Sequence, residues 1–275
     1  VTILEARGAA TISLNDVAAE YVFGDVRILS RQDAGISINA DGGGVGVQQT
    51  GTFGNIEIFN AGGFAGNAID IQNITAAGST INIASVETAV NSFTGRGIWA
   101  SNNDGATINI MGGSITNAPA GAIVISNSAG TFSYAGTINH SDSVPGFAVV
   151  GAVRVEMGEA GAVNTFSGDI SSNSTATAIQ IENNVGTTTN FTGQSINLTM
   201  SGAADGVLLQ NNTGGSVTNF APMSGGDGLD IAVNGTGTGF NASNGGTVTV
   251  QGTGNSINGS DNGAAINIST AAIGA

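Results

Sequence analysis

Arg154, Glu156 and Glu182, with Glu159 close by, are the residues of this chain whose types suit acid–base chemistry. Two carboxylates beside a guanidinium can divide into a proton donor and a proton acceptor when their environments push their pKa values apart. The same trio also makes an ordinary solvated ion pair, which contributes little to stability. The ion-pair reading is preferred, because perturbed carboxylates act only within a shaped cleft. His140, the sole histidine, stands in "TINHSDSVPGF" beside Asp142, with Ser141 and Ser143 as imaginable nucleophiles. A triad needs converging side chains and an oxyanion site, so a long polar turn is the preferred reading. One His and no Cys also argue against a zinc site.

"SGGDGLDIAV" (224–233) approaches the G-G-x-G-x-D-x-U-x repeat of calcium-binding toxins. That repeat works only in tandem, whereas one copy occurs here, with the small Ala232 where a large apolar residue is wanted. No metal and no cofactor are therefore expected. Trp99 is expected to point outward, where its ring could contact a sugar or a partner; it is a candidate ligand-binding residue. "TVTV" (247–250) occurs once, so a repeated Thr face of the kind a β-helical ice binder needs is not expected. The sequons at Asn73, Asn173 and Asn197 are what an Asn-, Ser- and Thr-rich chain generates by chance.

The elements that must position these residues follow from a repeat. Short alternating stretches recur as "GVGV", "AIDI", "GIWA", "AIVI", "AVRV", "AIQI", "GVLL", "GFNA" and "AINI", anchored at Val45, Ile69, Ile98, Ile123, Val153, Ile179, Val207, Phe240 and Ile266. Alternation is the period of a strand. Four residues after the anchors stand Asn73, Asn102, Asn127, Asn183, Asn211 and Asn244, followed by Gly, which predicts a tight bend. These six are expected to stack as an inward structural ladder, amide to carbonyl. A second strand then ends at Ile110, Tyr134, Phe166, Phe191 and Val250, and a third begins near Ile115, Ile138, Ile170, Ile196 and Ile257. "SINLTMSGAADGV" (195–207) aligns without gaps on "GLDIAVNGTGTGF" (228–240), which makes "LDIAV" a third strand.

Three short strands per unit predict an all-β, right-handed parallel β-helix of about 9–10 coils of roughly 28 residues. One body over 1–275 is expected: 45–275 as regular coils, and 1–44 as an irregular first coil or two with Val22 as anchor. A propeller needs four strands per unit and fits less well. Solenoid ends need caps or neighbours, so the chain is expected to belong to a longer protein or to an assembly.

Composition narrows the function. Among 275 residues there are 45 Gly and 40% hydrophobic residues, but only 9% charged ones. The net charge of −14 and the absence of any base beyond Arg154 disfavour nucleic acid and anionic lipid. No apolar run is long enough to span a bilayer as a helix, so no direct membrane insertion is expected from this segment. Neither the Asp-Asp and Gly-His-Gly pattern of polygalacturonases nor the Arg-x-Pro-x-x-Arg of pectate lyases is present.

The style of "AIQIENNVGTTTNFTGQSIN", with Gly, Asn, Ser and Thr turns and no Cys or Lys, resembles the β-helical passengers of bacterial autotransporters and related large surface adhesins. The resemblance covers nearly the whole chain. It implies a secreted or cell-surface location in a Gram-negative bacterium and roles in adhesion or surface building. The expected function is thus a non-enzymatic extracellular spacer, adhesive segment or fibre subunit. Its expected partners are other copies, stacked end to end or laterally, and a surface glycan or host surface. The alternatives are a carbohydrate-active β-helix enzyme using Arg154, Glu156 and Glu182, and a sugar-binding module centred on Trp99.

Overall fold

The computed structural model describes residues 2–4, 11–17, 20–29, 34–40, 48–59, 66–88, 95–141, 151–222, 225–259 and 263–274. They form a parallel β-solenoid without helix, its turns roughly 29 residues apart. The first strands of the coils make one ten-stranded sheet, from Ile12–Asn15 through Ile36–Asn39 and Ile69–Gln72 to Ile266–Ser269. Second and third strands share an 18-stranded sheet, because in Thr50–Phe59 and Ser79–Thr88 one long strand serves as both.

Alternation decides which side chain faces inward. In the first strands the anchor and the residue two later are buried, as in Ile69 and Ile71, Ile179 and Ile181, and Val207 and Leu209. Register puts Ile69, Ile98, Ile123, Val153, Ile179, Val207, Phe240 and Ile266 in a single column. Each fully buried Ile contributes on the order of 1.5–3 kcal/mol relative to exposure. In the second strands the aromatic column stacks face to face, with 5.1 Å between the Phe166 and Phe191 centroids and 4.9 Å between those of Phe191 and Phe220. Gly51 leaves the space that the Tyr21 ring fills, since a Cβ there would lie 2.4 Å from it.

The bend after the first strand is a left-handed residue in nearly every coil: Asp16, Asn73, Asn102, Asn127, Met157, Asn183, Asn211, Asn244 and Thr270 all have φ between 46° and 60°. Asn adopts this region at low cost, and that accounts for its frequency there. The side chains, however, do not point inward: Asn73 is half-buried and Asn102, Asn127, Asn183, Asn211 and Asn244 are exposed. Hydrogen bonds run from Asn73 to Asn39 (2.9 Å), from Asn102 to Asn73 (2.9 Å) and from Asn211 to Asn183 (3.3 Å). The inward amides are one residue later, at Asn103, Asn184 and Asn212, each at most 2% exposed. A left-handed residue reverses the strand alternation, so its successor, not itself, enters the core. Asn184 Oδ1 accepts from Gly158 N (2.7 Å) while its Nδ2 donates to Asn212 Oδ1 (2.9 Å) and Val155 O (3.2 Å). Each such amide ties one coil to the next.

The N-terminal coils differ from expectation. Val22 is not an anchor: it is 68% exposed, in the second strand Glu20–Phe23. The anchors there are Ile12 and Ile36, and Ile36 pairs directly with Ile69; Val45 lies outside the described residues. Ile257 also moves, since it pairs with Ile231 rather than continuing the column of Ile196 and Leu229. His140 is in a strand, not a turn: in Thr137–Ser141 it faces inward, 3% exposed, opposite Ser172. Asp142 and Ser143 lie outside the described residues.

Candidate functional site

Arg154, Glu156 and Glu182 do meet, on the outer face of the ten-stranded sheet. Register sets Glu156 beside Glu182 and Arg154 beside Gln180. Arg154 Nη2 is 2.6 Å from both Glu156 Oε2 and Glu182 Oε1. One guanidinium nitrogen therefore occupies the space between the carboxylates. Glu159 does not join them: it stands exposed beyond the bend at Met157, its N–H bonded to Ser128 O (3.1 Å).

Trp99 belongs to the same face. It lies in one register column with Asp70, Val124 and Arg154, so candidates 55 residues apart in sequence are two strands apart in space. Trp99 is half-buried, with the Arg96 guanidinium 4.7 Å from its ring centroid, an arrangement favourable to the cation. Val124, although it lies on the outer side of its strand between Trp99 and Arg154, is only 2% exposed. Asn67 bridges the edge of the group, donating to Asp70 Oδ1 (2.6 Å) and accepting from Arg96 N (2.7 Å). Burial raises the pKa of Asp70, against the opposing pull of Asn67 and of the Arg96 charge. Burial likewise lowers that of Arg96, which feels Asp70, Glu156 and Arg154.

Other acids serve the backbone. Asp25 Oδ1 accepts from Asn55 N (2.9 Å), Asp169 Oδ1 from Gln194 N and Ser195 N (both 3.0 Å), and Asp205 Oδ1 from Thr238 N (2.7 Å). Each is a bond from one coil to its neighbour, where the turn has no strand partner. Asp230 of the calcium-like segment pairs in register with Asn197 and accepts from Ser256 Oγ (2.6 Å), while Leu229, Ile231 and Val233 are buried.

A second face was not legible as a site. Where "TVTV" had suggested that a Thr array was missing, register assembles one on the outer side of the second strands. The first column reads Thr50, Thr80, Thr107, Thr131, Val163, Thr188, Val217, Thr247. The second, two residues on, reads Thr52, Asn82, Asn109, Ser133, Thr165, Asn190, Asn219 and, buried at its end, Thr249. The available signal was the triplet Thr/Val-x-Asn/Ser/Thr, twice as an identical "TINI" (80–83 and 107–110).

The last coils expose their interior. Ile266, Ile268 and Ile273 are 57%, 44% and 65% exposed, and with Leu229, Phe240 and Val248 they line a groove of about 320 Å³. Comparison of the chain with protein-family models, with curated proteins and with solved structures finds no match in any of the three.

Proposed function

We propose that this β-solenoid works as a non-enzymatic structural and adhesive element at a cell surface or outside the cell, a rigid spacer or fibre segment presenting long flat faces. The observation that carries the reading is the closed ion cluster. A glycosidase pair flanks its scissile bond with about 5–9.5 Å between carboxyl groups and substrate in between. Here Arg154 Nη2 fills that place, 2.6 Å from either carboxylate. The use of Asp25, Asp169 and Asp205 as backbone acceptors supports the same view, since it spends acids on joining coils.

The reading includes self-association of copies, end to end or laterally. Sedimentation velocity of the purified chain is expected to show species larger than monomer.

The enzymatic alternative is tested by incubation with a broad panel of acidic and neutral polysaccharides. No cleavage is expected. Cleavage by the wild type that Glu182→Gln abolishes would overturn the structural reading.

A further inference from the structure

The outer face of the second strands carries an array that core packing does not require and whose Thr column coil stacking does not explain. We propose that this face binds an ordered water lattice, the surface of an ice crystal.

The array is uncharged in a chain of net charge −14: from Thr50 to Thr249 both columns contain only Thr, Val, Asn and Ser. Glu20, which pairs with Thr50, bounds the array at its N-terminal end; other acids are placed on the other faces, as at Asp70, Glu156 and Glu182, and on the third strands, as at Glu57, Glu87 and Asp230. The occupant that fits is therefore itself uncharged and extended. Spacing is fixed in two directions, about 4.8 Å between stacked strands and about 6.6 Å between residues two apart on a strand. A regular repeat in two directions is what the surface of a crystal of water also presents.

The side chains suit such a lattice. Thr is stiff about χ1, so each hydroxyl and methyl is held in place before contact. Hydroxyls can bond to lattice water, and methyls order the water around them. Val163 and Val217 keep the shape and a methyl where the hydroxyl is lost. Asn109 donates to Asn82 (3.0 Å) and Asn219 to Asn190 (2.9 Å), which fixes those amides in plane with the array. Single contacts are weak, but a rigid array presents them all in register once one engages. A polysaccharide fits less well: sugar rings are gripped by aromatic side chains, and neither column contains one from Thr50 to Thr249.

The test uses the full chain in a nanolitre osmometer and in slow freezing onto a cold probe. The wild type is expected to show thermal hysteresis that grows with concentration and to enter the ice fraction. Thr131→Tyr and Thr188→Tyr, each still folded by circular dichroism, are expected to lose both. Gln180→Tyr, on the ion-cluster face, is expected to keep both. The proposal is overturned if the wild type shows no hysteresis and is excluded from ice, or if the two Thr variants behave as the wild type does. It is also overturned if the wild type is retained by crystalline cellulose or chitin but not by ice, or if Thr131→Tyr merely dissolves a dimer of the chain.

Discussion

The faces of the first and second strands rest on the same coils and the same backbone geometry, yet they hold opposite surfaces. The first gathers charge, with Arg154 between Glu156 and Glu182 and Arg96 over Trp99. The second holds Thr and Asn columns without a charged side chain from Thr50 to Thr249. The difference teaches that a solenoid decouples its faces: alternation fixes what is inside, and each outer column is then free to vary as a unit. A heterogeneous column makes local clusters, and a homogeneous one makes a lattice.

Both faces depend on one core, so the largest effect is expected there. Phe191 lies between Phe166 and Phe220, fully buried behind Thr188 and Asn190. Phe191→Ala should cost about 3–5 kcal/mol in denaturant unfolding. If it costs no more than a surface change, the faces do not share a core. On the ion-cluster face, Arg154→Ala should cost roughly 1–2 kcal/mol, since it leaves two neighbouring carboxylates without their cation. Glu182→Gln should cost less, because one carboxylate still pairs with Arg154.

At the bend between the faces, Asn102 has φ 54°. Asn102→Ala should lower stability by about 1 kcal/mol, and Asn102→Gly by less, because only Gly takes that region freely. On the lattice face, Thr107→Val should stay within about 0.5 kcal/mol, as surface changes do. Equal costs for Thr107→Val and Arg154→Ala would erase the contrast between the faces.

The smallest effect concerns pH. The raised pKa of Asp70 means that the folded state binds its proton more tightly than the unfolded chain does. Its contribution is fully present below the ordinary value of 3.8 and is lost as pH rises through the higher folded value. Asp70→Asn should therefore flatten the thermal-melting profile on that side and leave the lattice face unchanged. A variant with the wild-type profile would show that burial does not penalise the charge.

Much of the core was legible because alternation is local: Ile69 with Ile71 and Ile179 with Ile181 read as inward from four residues each. The bend column was legible because Asn recurs at a fixed distance from the anchor. The direction of its side chains was not, since a left-handed residue shifts the phase and sends Asn103, Asn184 and Asn212 inside instead. His140 read as a turn because Ser141, Asp142 and Ser143 follow it, whereas the place it fills pairs with Ser172 and then Leu198 in the next coils. Trp99 and Arg154 read as separate candidates, although they flank Val124 in one column.

The sequence by itself determined the strand period, the stacking of repeats and the identity of the inward anchors, because each depends on residues a few positions apart. The anchors also placed Arg154, Glu156 and Glu182 together, but only the tertiary structure decided which residues make up the long outer columns of the second strands. Turns of unequal length separate the coils, as in the nine residues from Phe220 to Leu229 against the five from Phe191 to Ile196. Lateral neighbours are set by the register of parallel hydrogen bonds across those turns, and that register lines up Thr50, Thr80 and Thr107 just as it brings Glu156 beside Glu182.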